Sequence, residues 1–366
     1  MRFEKPFLSR LVLILTGITA ASLNSIAATA QESGPTGRFA LPDGFQSGMH
    51  AVLLGVGARF SIQDEGGSSV LVLVDGEPLL FDVGPMAVQR LAKAGVNPGL
   101  VRQLFITHLH MDHISGFPEF LSLNHTFGGR VHVVGPPAVT GMVEGAKAFL
   151  DVDLRAIERL LGRKTDVTVT EVDRSRVVLE TDKYTVTAAQ TPHMDLEGPH
   201  SFAYRVESKY GSVVVSGDTA PSLNVLELAE SADLLIHEVF IDPTTSIDQA
   251  VLEALDPETR EALRKGPDTL EDGLRAQPPR FGHSVAAEVG KLASAADVQT
   301  LVLYHRPVFA STQSEYALAT RVWGLSESAV SYDNRSNLIA AVKEHFDGPV
   351  IMGEPLMVFR PGSADE

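Results

Sequence analysis

The chain has 366 residues, no cysteine, 44% hydrophobic and 21% charged residues, and a formal net charge of −16. That composition supports a buried core and excludes an intrinsically disordered chain, a disulfide scaffold and a thiolate metal site. With 46 carboxylates against 30 Lys and Arg, the mean field repels phosphate backbones, which argues against a polyanion as the main partner.

The chain opens with Arg2, Lys5 and Arg10, continues through an apolar stretch that begins at Leu11, and reaches Ala28-Thr29-Ala30. This order of charge, apolar run and small-x-small site predicts a secretory signal peptide over residues 1–30, cut after Ala30. Thr16, Thr19, Ser22 and Asn24 interrupt the apolar part, leaving it shorter than the ~20 residues of a spanning helix. The mature protein, residues 31–366, is therefore expected to be periplasmic or secreted, and not held in a membrane. Cleavage removes three basic residues and one acidic residue, moving the net charge from −16 to −18.

Short β-rich runs follow at 51–55, 69–74 and 79–83, then a helical segment at 86–94 closed by Gly95. The apolar strand 104–106 runs straight into Thr107-His108. Helices are expected at 138–150 and 154–161, and strands at 168–172, 184–189, 201–207 and 212–216. Further helices are expected at 222–229 and 284–295, and short apolar strands at 234–236 and 301–303. Two β-rich halves, each followed by helices and with no linker between them, predict one α/β domain of two packed sheets flanked by helices. Residues 242–282 differ, with nine carboxylates and five basic residues. They are expected to form a helical insertion, either a solvated excursion or a cap over the site.

The densest signal is His108-Leu109-His110-Met111-Asp112-His113, followed by Ile114-Ser115-Gly116. Imidazole and carboxylate are the ligands expected for zinc, iron or manganese where thiolates are absent. His108 and His110 project to one side, and Asp112 and His113 turn toward a second position, so one loop can serve both halves of a two-metal site. His193, Asp218 and His305 each follow an expected strand, at the carboxyl end where α/β folds build sites. Seven ligands result, the number two cations need. His50, His125, His132, His200 and His345 keep an ordinary surface or core reading. The Gly55-Val56-Gly57 turn lacks the third glycine and the strand–helix context of a dinucleotide-binding fingerprint.

The HxHxDH run, the later His193, Ser216-Gly217-Asp218-Thr219 and the terminal His305 resemble the metallo-β-lactamase superfamily. His237-Glu238 and His283-Ser284, with Gly55-Val56-Gly57 and Phe81-Asp82-Val83-Gly84, resemble its ribonuclease Z and arylsulfatase-like branch. The resemblance implies an αββα sandwich of two mixed sheets. It implies a first metal on His108, His110 and His193, and a second on Asp112, His113 and His305, with Asp218 bridging them. Two divalent ions are implied, Zn²⁺ foremost and Mn²⁺ or Fe otherwise. Asp112 would also orient or deprotonate the attacking water, Glu238 and His283 would deliver a proton to the leaving group, and His237 would give support.

Two features depart from the tRNA-processing members. Only seven residues, Met194 to His200, separate His193 from the next strand, too few for a tRNA-gripping arm, and the basic continuation after the last His is replaced by Arg306-Pro307-Val308. The expectation is a dinuclear hydrolase of a small anionic ester, a sulfate ester or phosphodiester, with no nucleic-acid partner and with room for a homodimer. The alternatives are lactone or β-lactam hydrolysis, and tRNA 3′ endonuclease activity.

Overall fold

β-Branched and aromatic residues dominate the strands, and the placing of polar residues decides which of them are covered on both faces. The computed structural model describes residues 41–58, 65–193, 200–240, 282–306 and 334–362. Residues 43–366 group into one compact unit and residues 1–42 into another, of which only Leu41 and Pro42 are described. The expected signal peptide and nearly all of the 242–282 excursion lie outside the described residues.

The first sheet contains β1 (Met49–Gly55), β2 (Ser69–Val74), β3 (Glu77–Phe81), β4 (Gln103–Phe105), β5 (Val131–Gly135), β6 (Val167–Glu171) and β14 (Val358–Phe359). Its order is β14-β1-β2-β3-β4-β5-β6; β1, β2, β3 and β14 pair antiparallel, and β3 through β6 parallel. The second contains β7 (Arg176–Glu180), β8 (Tyr184–Gln190), β9 (Phe202–Ser208), β10 (Gly211–Val215), β11 (Leu234–Glu238), β12 (Leu301–Tyr304) and β13 (Val350–Met352). It is antiparallel from β7 to β10 and parallel from β10 to β13. Both sheets are thus mixed, as expected. Ser-Val-Leu-Val-Leu-Val in β2 is buried at all six positions, the mark of a strand covered on both faces.

The helices are α1 (Ala87–Lys93), α2 (Met111–Ile114), α3 (Phe117–Thr126), α4 (Val139–Phe149), α5 (Asp151–Leu161), α6 (Leu223–Leu228), α7 (Ala286–Ala295) and α8 (Asn334–Lys343). One apolar core includes Leu53, Val72, Phe81 and Phe105 of the first sheet and Tyr204, Val215 and Ile236 of the second. Phe81 stacks on Phe105 with ring centroids 5.0 Å apart, and the Tyr204 hydroxyl donates to the Ile106 carbonyl at 2.9 Å. A second core joins Val214, Leu235 and Leu303 of the other sheet face to Val289, Leu292 and Val342 of α7 and α8. No helix among the described residues is long and apolar enough to cross a membrane.

Four strands, β5, β7, β13 and β14, and helices α2, α3 and α8 appear where no element was expected from sequence. β7 and β14 carry little buried surface, so their alternation is weak; β5 is only five residues long and its apolar run is broken by the half-buried His132.

Candidate metal centre

The polar residues collect at the carboxyl ends of strands from both sheets. β4 leads to Thr107 and His108, β8 to His193, β10 to Asp218, β12 to His305, and β11 ends in Glu238 itself. Loop 108–113 turns within four residues into α2, and two glycines make room for it. A Cβ on Gly67 or Gly84 would fall 2.2 Å from the Asp112 carbonyl oxygen, so the chain on either side packs directly on the ligand-bearing backbone.

The seven expected ligands come together in two groups that share Asp218 between them. In the first, His108 Nε2 lies 3.5 Å and His193 Nε2 3.6 Å from Asp218 Oδ2. His110 Nδ1 is 2.9 Å from His108 Nε2 and 3.3 Å from His193 Nε2. In the second, His113 Nε2 and His305 Nε2 each lie 3.2 Å from Asp218 Oδ1. Asp112 Oδ2 is 3.2 Å from His305 Nε2 and 3.7 Å from His113 Nε2. Each donor cluster lies within 4.8 Å, the span of a coordination sphere, and a further one comprises Asp218, His283 and His305. Asp112 Oδ1, Asp218 Oδ1 and His113 Nε2 are buried without a hydrogen-bond partner. Polar atoms orphaned around a common space, all of them imidazole nitrogens or carboxylate oxygens, fit a cation-binding site.

Electrostatics prepare both groups differently. Burial lowers His108 well below the ordinary histidine value, lowers His193, and takes His110 to about 4, so all three offer lone pairs at neutral pH. Burial alone would raise Asp112 and Asp218, but the neighbouring imidazoles win: Asp112 falls to about 2 and Asp218 lies well below the usual carboxylate range. Burial opposes a charge on His113, yet Asp218, Asp82 and Asp112 raise it well above its ordinary value.

Asp82 was not singled out from sequence as a site residue. It is buried at the end of β3 and takes the left-handed region, φ 58°. Its carboxylate accepts from Thr107 N, Thr107 Oγ1 and His113 Nδ1, each at 2.8 Å. Three donors fix the carboxylate, and the carboxylate fixes the His113 ring. Among apolar neighbours, a lone Asp closing a buried strand was the available signal.

Glu238 and His283 meet as expected. His283 Nδ1 lies 3.0 and 3.1 Å from the two Glu238 oxygens, and Glu238 Oε1 also accepts from Thr219 N at 3.0 Å. The His283 ring stacks on Phe240, with centroids 5.1 Å apart and planes at 11°, and faces His305 at 5.6 Å and 18°. Burial would depress His283, but the Glu238 carboxylate lifts it to about 9. His237 is fully buried, and its Nδ1 donates to the Glu238 carbonyl at 2.7 Å. Its support thus goes to the Glu238 backbone, not to a ligand of either group. The ends of the excursion meet here too: Phe240 N donates to the Ser284 carbonyl at 2.8 Å, and Gly282 O lies 2.7 Å from His193 Nδ1.

A sequence profile for the family described as "Anti-Pycsar protein Apyc1" matches residues 49–264, more than half of the chain. The chain belongs to this family. It is also 30% identical over 267 residues to ribonuclease Z of Mycobacterium sp. (strain KMS), spanning 70% of this chain and 84% of that protein. Ribonuclease Z of Methanothermobacter thermautotrophicus is 26% identical over 306 residues, 70% of this chain and 86% of its own length. Among solved structures, the metallo-β-lactamase fold protein YhfI from Bacillus subtilis is similar at a TM-score of 0.57 and 20% identity, covering 85% of this chain and 98% of that one. This Apyc1-family chain is accordingly a metal-dependent hydrolase with the metallo-β-lactamase fold, on the ribonuclease Z branch of the superfamily.

Proposed function

We propose that the protein hydrolyses phosphodiesters with two divalent cations, zinc foremost. The observation that carries this reading is the bridging geometry of Asp218, whose two oxygens face one donor group each. The ribonuclease Z relatives support phosphodiesters as the bond cleaved. His108, His110, His193 and Asp218 would hold the first cation, and Asp112, His113, His305 and Asp218 the second. A bound pair supplies an activated water and neutralises charge on the phosphoryl oxygens.

The chain's own side chains do the rest. Asp112 has one oxygen turned to the second donor group and its Oδ1 without a partner, which leaves an acceptor that would orient or deprotonate the attacking water. His283 carries its proton at neutral pH, and Glu238 engages Nδ1. The opposite nitrogen, Nε2, is then the one that protonates the departing oxygen.

The substrate is a small phosphodiester. The eight residues between His193 and β9 leave no length for a gripping arm, and the net charge of −16 works against a large polyanion. Cleavage of tRNA 3′ ends is the second reading, favoured by the ribonuclease Z relatives. Export through residues 1–30 belongs to the proposal. The test is a panel on metal-quantified protein: bis-aryl phosphate, aryl sulfate, a lactone, a β-lactam and a precursor tRNA. Turnover confined to bis-aryl phosphate supports the proposal. Preferred turnover of precursor tRNA, with affinity falling steeply with salt, replaces it by the second reading; preference for sulfate or lactone overturns both.

A further inference from the structure

His305 differs from the other buried imidazoles of the centre in how it is aimed. His113 is oriented through Nδ1 by Asp82, His193 through Nδ1 by the Gly282 carbonyl, and His108 Nδ1 lies 3.1 Å from Thr107 Oγ1. Hydrogen bonds of this kind ordinarily set the ring orientation of a ligating histidine. His305 Nδ1 is buried and has no hydrogen-bond partner. Its backbone sits at φ 43°, a left-handed conformation uncommon for residues other than glycine. The aim of His305 must therefore come from whatever holds its main chain.

The next residue supplies that hold. Arg306 N donates to the Val56 carbonyl and the Arg306 carbonyl accepts from Ala58 N, both at 3.1 Å, so the backbone beyond His305 is stitched to the turn after β1. The Arg306 guanidinium is 1% exposed. Its two terminal nitrogens lie 3.5 Å from the two Glu354 oxygens, and one of them is also 3.5 Å from Glu65 Oε1. Glu354 is itself paired with Arg335, and the preceding Gly353 N donates to the Leu303 carbonyl at 2.8 Å. A cation buried beside a cation-binding centre is costly unless it is well paired. Here its carboxylates come from the segment entering β2 and the segment leaving β13.

We propose that Arg306 is a positioning residue for His305. Through its ion pairs with Glu354 and Glu65, it holds the left-handed turn that points His305 Nε2 at Asp112 and Asp218. The inference rests on the two-cation reading and adds that affinity for the second cation, not the first, depends on this anchor.

The test is zinc titration by calorimetry of the full-length chain after chelation, with thermal melting to establish folding. Wild type, Arg306→Gln, Arg306→Lys and Glu354→Gln are compared. The expected result is two zinc equivalents in wild type and an unchanged first affinity in every variant. The second affinity falls by about tenfold or more in Arg306→Gln, falls by a smaller factor in Glu354→Gln, and recovers most of the loss in Arg306→Lys. Equal weakening of both equivalents, or an unchanged second equivalent, overturns the proposal. If Arg306→Gln does not melt cooperatively, Glu354→Gln decides by the same criterion, since Glu354 is partly exposed. A wild type that binds one equivalent refutes the two-cation reading itself, without recourse to any variant, and the inference falls with it.

Discussion

The two donor groups around Asp218 each draw two residues from one short loop, yet they solve opposite problems. The group with His108, His110 and His193 is made of imidazoles that burial keeps neutral, and His110 reaches partly to solvent. The group with Asp112, His113 and His305 is fully buried and rich in carboxylate, and Asp218, Asp82 and Asp112 raise His113 well above its ordinary value although burial opposes the charge. One half favours free lone pairs; the other favours a protonated imidazole at His113. Neighbouring positions in sequence thus differ because the Asp82 carboxylate reinforces Asp218 and Asp112 at His113, whereas burial and the neighbouring imidazoles outweigh Asp218 at His108 and His110.

The strongest way to break the contrast is to remove what the halves share. Asp218→Ala should abolish loading of both cations and all turnover, measured by metal analysis after dialysis and by hydrolysis of bis-aryl phosphate; retained activity would discard the site. Replacing His283 by Gln should leave metal content intact and slow esters with poor leaving groups by about 10²-fold, the usual scale of a lost general acid. Equal slowing of good and poor leaving groups would remove its role as proton donor. The sign of the pH dependence follows from its raised pKa: activity on poor leaving groups should decline as pH rises toward about 9. Bound cations would bring that limb lower, and it should be missing in the variant.

A finer cut separates the halves. Asp82→Asn removes the carboxylate behind His113 and should weaken the second zinc equivalent by about 10- to 100-fold while leaving the first in place. Parallel loss of both equivalents would show that Asp82 only holds the fold. The smallest effect concerns protons. Because His113 is raised and must give up its Nε2 proton to bind a cation, the second equivalent should release a proton at neutral pH and tighten as pH rises. The first should do neither, because His110 stays neutral down to about pH 4. Calorimetry in two buffers of different ionisation heat reads the difference; equal release from both equivalents would erase it.

Much of this centre could be read before folding. His108, His110, Asp112 and His113 lie within six residues, and His193, Asp218 and His305 each follow an expected strand. Burial and strand termini therefore announced where donors would gather, and the two-sheet layout followed from the alternation of strands and helices. Asp82 escaped because its role depends on His113, thirty-one residues away. The carbonyl of Gly282 escaped because a backbone atom leaves no trace in residue type. Arg306 read as a mere departure from the tRNA-processing pattern, since its partners Glu65 and Glu354 are 241 and 48 residues distant. β5 and β13 were passed over because neither leads into a site histidine, as the short runs at 104–106, 234–236 and 301–303 do, and neither carries a period of its own.

Asp218 extends from the second sheet toward donors on the first. His108, His110, Asp112 and His113 belong to the loop after β4, while His193, Asp218 and His305 follow strands of the opposite sheet. Any ion held there rivets the two halves of the sandwich across their seam. In a chain with no cysteine to cross-link it, the free energy of loading is also free energy of folding. Chelation should therefore lower the melting temperature as well as silence the enzyme.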